Sequence, residues 1–213
     1  MILQCKRNIS SEGLTANRLY PVIAYEINLD NDIVTYQIVD DSRSLSWSRS
    51  DRFKVVNYSK EGYIKIDSNN GSLKYLYKDL SDTSFFVDYY LEDEKSIIAN
   101  KKLENALISI LSNELTTNEV LSHLEVVGYQ DENADLLLKS YFLNAKEDDI
   151  INFANMLYDK IPMLNNYIVQ IIIESLKRYK AVEIENIFME LYLNSSFYSE
   201  ETLKVIDDYL KVN

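Results

Sequence analysis

The sequence predicts an α+β fold: a β-rich N-terminal half followed by an all-helical C-terminal half. Three observations carry this. Between residues 19 and 77, short runs rich in Val, Ile and Tyr alternate with polar turn clusters, the pattern of antiparallel strands. From about Lys95 the apolar period changes to that of amphipathic helices. Charge divides at nearly the same place: residues 1–90 hold 11 Lys/Arg against 12 Asp/Glu, and residues 91–213 hold 11 against 22. The domains expected from these shifts are a β-rich module over 1–90 and an acidic helical domain over 91–213.

The first half yields its strands in order. Leu19 to Ile27 is rich in β-formers, with Pro21 suited to a strand start or an edge. A polar turn over Asn28–Asp32 leads into Ile33–Val39, which alternates well from Val34 onward. After Asp40-Asp41-Ser42-Arg43, Leu45 and Trp47 stand two apart, and Phe53-Lys54-Val55-Val56 closes the set. Trp47 and Phe53 are expected in the core. Tyr63–Ile66 and Leu73–Tyr77 form a further pair, joined by Asp67 to Gly71 with its Asn-Gly hairpin signal. Ser84 to Leu91 fits either one more strand or a linker with aromatic anchors.

In the second half, Ile97, Ile98, Leu103, Leu107, Ile110 and Leu111 mark one apolar stripe. Thr116 and Glu119 have the spacing of a capping box, and the helix they open carries Val120, Leu121, Leu124 and Val127 before stopping at Gly128. Later helices are predicted over Glu132–Asn144, Asp148–Lys160, Asn165–Tyr179, Val182–Leu193 and Glu200–Lys211. Their starts recur every 15 to 18 residues, so a helix pair spans about 30 to 35 residues, the scale of α-solenoid repeats. A HEAT-like stack or an irregular bundle is expected. The helix around Ile168–Leu176, apolar over most of its circumference, is expected to be the most enclosed.

Composition limits function. One cysteine, Cys5, excludes an internal disulfide and a Cys-based metal cluster. The opening MILQCKRN has no basic segment followed by a long apolar run, so no secretory signal is expected. No stretch is long and apolar enough to span a bilayer, and a cytoplasmic location is expected. With four glycines, and neither GxxxxGK[ST] nor GxGxxG, the chain has no phosphate-cradling motif, and no cofactor is expected.

Few residues offer chemistry. His123 is the only histidine, and its nearest polar neighbours, Ser122 and Glu125, do not face it on a helix. A structural role near a helix C-terminus is the preferred reading. The pairs Asp40-Asp41, Glu147-Asp148-Asp149, Glu200-Glu201 and Asp207-Asp208 are adjacent in sequence, whereas carboxylate catalysis needs groups converging from different elements. Asp40-Asp41 is read as the tip of a hairpin, its side chains bonding to nearby backbone N–H groups. One basic group, Arg43, Arg49, Arg52 and Lys54, is interleaved with Trp47 and Phe53. That mix suits single-stranded nucleic acid, but Asp40, Asp41 and Asp51 interrupt it, and local pairing of the arginines is preferred.

Leu14-Thr15, Leu19 to Ile23, Tyr36 to Ser42, Trp47 and Phe53 to Val56 together resemble a small SH3-like β-barrel unit that recurs in proteins of Gram-positive bacteria and their phages. The resemblance covers about a fifth of the chain and implies no activity. It places the Asp pair at a tip between two strands and has Gly near Asn17 and Arg43. Of these, Asn adopts a left-handed conformation easily and Arg less so.

The net charge of −12 disfavours nucleic acid and membranes and favours a basic partner. In overall style the chain is similar to immunity proteins of bacterial polymorphic toxin systems. That resemblance implies a non-catalytic protein that neutralises a basic toxin by direct occlusion. Asp131, Glu132, Asp135, Asp148 and Asp149 are the expected acidic contacts, with exposed tyrosines as anchors. The alternative is a phage or bacterial nucleic-acid-associated regulator acting through Arg43, Arg49, Arg52 and Lys54. A metal-dependent hydrolase built on carboxylates is the third possibility.

Overall fold

The chain changes sheets at Pro21–Val22–Ile23, and this corner organises the first half. β1 (Ile2–Cys5) pairs antiparallel with β2 (Leu19–Pro21) and with β6 (Phe53–Asn57), giving a three-stranded sheet ordered β2-β1-β6. Immediately after β2, the Val22 amide donates to the Met1 carbonyl at 3.1 Å, whereas the Ile23 amide donates to Gln37 at 2.9 Å. From there the chain belongs to a five-stranded antiparallel sheet ordered β5-β4-β3-β8-β7, built from β3 (Ala24–Asn28), β4 (Ile33–Val39), β5 (Leu45–Arg49), β7 (Tyr63–Asp67) and β8 (Ser72–Tyr77). The run Leu19–Ile27, expected as one strand, is therefore two strands in two sheets. The computed structural model describes residues 1–59, 61–67, 71–82, 84–129, 131, 133–194 and 198–212. The predicted turn over 68–70 lies outside them.

Alternation decides what each sheet buries. In the five-stranded sheet Tyr36, Tyr25 and Tyr75 lie side by side across β4, β3 and β8, and Tyr25 stacks on Tyr75 with ring centroids 4.7 Å apart. Leu3, Cys5, Tyr20, Ile38 and Phe53 join the same core, with Phe53 edge-on to both Tyr20 and Tyr36. Trp47 does not. It is 40 % exposed, because it occupies the opposite face of β5, across from Gln37.

Ser84–Leu91 forms neither a strand nor a bare linker. It holds the short helix α1 (Phe85–Tyr89), anchored by the buried Phe85. The next helix, α2 (Glu94–Glu114), starts at the Asp93 cap and buries Ala99, Leu103, Ala106, Leu107, Ile110 and Leu111. Ile97 and Ile98, expected on this stripe, are exposed in its first turn. Because α2 packs on α1, β1 and β2, the first compact unit runs from Met1 to Leu115. The division thus falls one helix later than the change of period suggests.

The second unit, Thr116–Asn213, is helical. α3 (Thr117–Val127) opens with the predicted capping box of Thr116 and Glu119 and ends at Gly128. It is followed by α4 (Ala134–Asn144), α5 (Glu147–Leu157), a 3₁₀ segment over 158–163, α6 (Asn166–Leu176), α7 (Val182–Leu193) and α8 (Glu200–Val212). α6 packs on both α4 and α8, and α5 packs on α7. Ile168, Val169, Ile172, Ile173 and Leu176 make α6 the strongly apolar partner in this arrangement. Tyr141, Phe142 and Phe153 cluster between α4 and α5, and Phe188 stacks on Tyr209 at 3.9 Å between α7 and α8. Among the described residues no helix is long and apolar enough to cross a membrane.

Candidate functional site

The Asp40-Asp41 pair divides its labour. Asp40 Oδ1 accepts from the Ser42 amide at 2.9 Å, the Ser42 hydroxyl at 2.6 Å and the Ser44 amide at 3.1 Å. This is an Asx-type turn that closes the β4–β5 hairpin. Asp41 instead leaves the tip. Its carboxylate meets Arg18 Nη1 at 2.5 Å and accepts from the Tyr20 hydroxyl and the Thr15 hydroxyl, each at 2.7 Å. Tyr20 in turn accepts from the Thr15 amide at 2.8 Å. The Asp41 amide donates to Gly13, whose φ is +60° and whose missing Cβ leaves room for the Asp40 side chain. Asn17 and Arg43 also hold left-handed backbone, at φ 65° and 63°.

Arg18 and Tyr20 are buried, Asp41 is half-buried and Thr15 is exposed, and the bonds among them tie the hairpin tip to the chain entering β2 as a structural joint. His123 lies with Val120 and Leu124 on the packed side of α3. Cys5 is buried and donates its thiol to the Arg7 carbonyl at 3.0 Å. Among the described residues no three His, Cys, Asp or Glu side chains gather closely enough to hold a metal ion.

The predicted basic group is dispersed. Arg52 pairs with Glu12 at 3.2 Å and with Asp51 at 3.5 Å, and Arg49 lies 3.8 Å from Asp51. Arg43 stands at the hairpin tip and Lys54 is exposed on β6, in the other sheet. Trp47, Arg49 and Lys74, a grouping not evident from the sequence, share one sheet face, with the Lys74 ammonium 4.9 Å from the Trp47 ring. Period-two spacing of Trp47 and Arg49 was the available signal, but it could not say which face looked outward.

The predicted acidic contacts are also rearranged. Asp135 is only 4 % exposed and accepts from the Tyr167 hydroxyl at 3.3 Å, so it faces the packed side of α4 rather than solvent. Half-buried Asp131 accepts from the Asn133 amide at 2.9 Å, and Asp149 accepts from the Lys146 amide at 3.0 Å to open α5. Glu132 lies outside the described residues. Asp148 is exposed.

Asp148 begins a ridge, since Asn152 and Asn155 follow at helical spacing and are also exposed. On α7, which packs against α5, Val182, Asn186, Met189 and Leu193 form the corresponding outward ridge, opposite the buried Ile184, Ile187, Phe188 and Leu191. Glu183 and Glu190 flank it on one side and Glu185 on the other. Tyr158, just after α5, donates to Glu190 Oε2 at 3.4 Å and joins the two helices at this surface. Neither helix contains a Lys or Arg. The signal was present in the sequence as the phase of Ile184, Ile187, Phe188 and Leu191, which fixes the exposed positions of α7.

Comparison of the chain with known protein families, with curated proteins and with solved structures found no match in any of the three.

Two outcomes are expected from the Asp41 joint. Asp41→Ala removes the carboxylate that opposes Arg18 and ties Tyr20 and Thr15 to the tip, and is expected to destabilise the first unit by about 3 kcal/mol, with Asp41→Asn costing less. Denaturant midpoints followed by near-ultraviolet dichroism check this. The second concerns alkaline pH. Burial is the main cause that holds the Tyr20 and Tyr63 hydroxyls protonated well above the ordinary value of 10.0. Above that pH the unfolded chain loses these protons while the native state keeps them, so stability is intact below pH 10 and falls as pH rises beyond it. Tyrosinate absorbance is expected to show phenols that ionise only together with loss of tertiary dichroism.

Proposed function

We propose that the protein is a non-catalytic binding protein for a basic polypeptide, of the kind represented by immunity proteins that occlude a toxin. The observation that carries this reading is the charge of the second unit: residues 116–213 hold 8 Lys/Arg against 17 Asp/Glu, a net of −9. A field of one sign steers oppositely charged partners and repels nucleic acid. Exposed aromatic side chains supply anchoring area, among them Tyr158, Tyr167 and Tyr192. The proposed architecture is an SH3-like barrel followed by a HEAT-like stack. The chain's change of sheet after Pro21 favours the first, and the packing of α4 on α6, α6 on α8 and α5 on α7 favours the second.

The immobilised protein is expected to retain a basic polypeptide from lysate of its own host. Retention should fall as ionic strength rises from about 0.01 M to 1 M, over which the screening length shrinks from roughly 30 to 3 Å. Asp148→Lys is expected to reduce it further. Retention of no basic polypeptide at low ionic strength removes the reading.

A second reading rests on the exposed Trp47 with Arg49 and Lys74 on one sheet face. Such a face offers a stacking platform and two cations to single-stranded nucleic acid. On this reading a mobility shift with single-stranded DNA or RNA is lost on Arg49→Ala or Trp47→Ala. The absence of any shift for the unaltered protein discards it.

A further inference from the structure

We infer that the outward face of α7, together with the exposed ridge of α5, is a docking surface for a cationic amphipathic helix of a protein partner. This rests on the basic-partner reading and specifies where and how such a partner seats. Two features, apolar relief and charge of one sign, coincide on this face. Val182, Met189 and Leu193 are 67 %, 47 % and 73 % exposed and stand in one line at helical spacing. An apolar line of this length on a solvent-facing helix is the counterpart of a helical ligand with anchors every three or four residues. Glu183, Glu185 and Glu190 rim it on both sides, and α5 adds the exposed Asp148.

Charge complementarity selects the occupant. α5 and α7 together carry six carboxylates, three on each helix, and no Lys or Arg. An acidic or neutral helix would meet repulsion or gain nothing along the rim. A helix with leucine-like residues on one side and Lys or Arg flanking them satisfies the apolar line and the rim at once. The exposed amides of Asn152, Asn155 and Asn186 suit the polar border of such an interface.

The test uses the 213-residue chain with two synthetic peptides of equal composition. One is a Leu/Lys peptide with its leucines on one helical face, and the other is a scrambled isomer. The amphipathic peptide is expected to bind at least about tenfold more tightly than its isomer, with Met189→Lys or Leu193→Lys abolishing that preference. Amide chemical shifts are expected to move mainly within 147–159 and 182–193. Both substitutions are at exposed positions, and an unchanged spectrum elsewhere verifies folding. If both peptides bind equally and neither substitution matters, the docking surface is refuted while the basic-partner reading stands. If neither peptide binds at low ionic strength, both are refuted. Concentration-dependent dimerisation without peptide, broken by Leu193→Lys, would overturn the inference by showing that a second copy occupies the face.

Discussion

The first unit depends on a carboxylate that folding has largely withdrawn from water, its side chain 18 % exposed. Asp41 lies in a hairpin tip, where a solvated side chain would be the ordinary outcome, yet Arg18, Tyr20 and Thr15 enclose it. A buried carboxylate is tolerated only when its lone pairs are met and its charge is opposed. Meeting these requirements fixes the β4–β5 tip against the chain entering β2, including Gly13 and the left-handed Asn17. The corner after Pro21, where one sheet hands the chain to the other, lies immediately beyond this segment. The aromatic core formed by Tyr20, Tyr36 and Phe53 then has its walls in place.

How much of this could be read beforehand differs between residues for physical reasons. The β4 strand and the Thr116 capping box are local patterns, and both are found where their residues indicate. Asp40 bonds within four residues and was legible in the same way. Asp41 was not, because its partners lie 21 to 26 positions away and nothing local distinguishes it from Asp40. Hydrophobicity alone would place Trp47 in the core. The strand offers two faces, and the register across β4 decides between them. The charge of Asp135 suggests a surface position, while its neighbours Ala134, Leu136, Leu137 and Leu138 are all buried. On a helix packed around so much of its circumference, charge is a poor guide to exposure.

The helical unit shows the complementary rule. Where one side of a helix is committed to the core, its other side is determined too, and α7 is the clear case. Ile184, Ile187, Phe188 and Leu191 turn inward, so Val182, Met189 and Leu193 are left outside with the glutamates between them. Stability does not require this outer composition, since polar residues there would serve folding equally well. An apolar line kept in solvent and bordered by charge of one sign is a feature that the packing of α7 does not require.

The lone tryptophan has a practical meaning. Trp47 is the chain's single indole, it sits in the first unit, and a lysine ammonium stands over its ring. Its emission therefore reports on the β-sheet module alone. The helical unit, rich in tyrosine and without tryptophan, is silent under selective excitation, so intrinsic fluorescence distinguishes the melting of one unit from that of the other without any label.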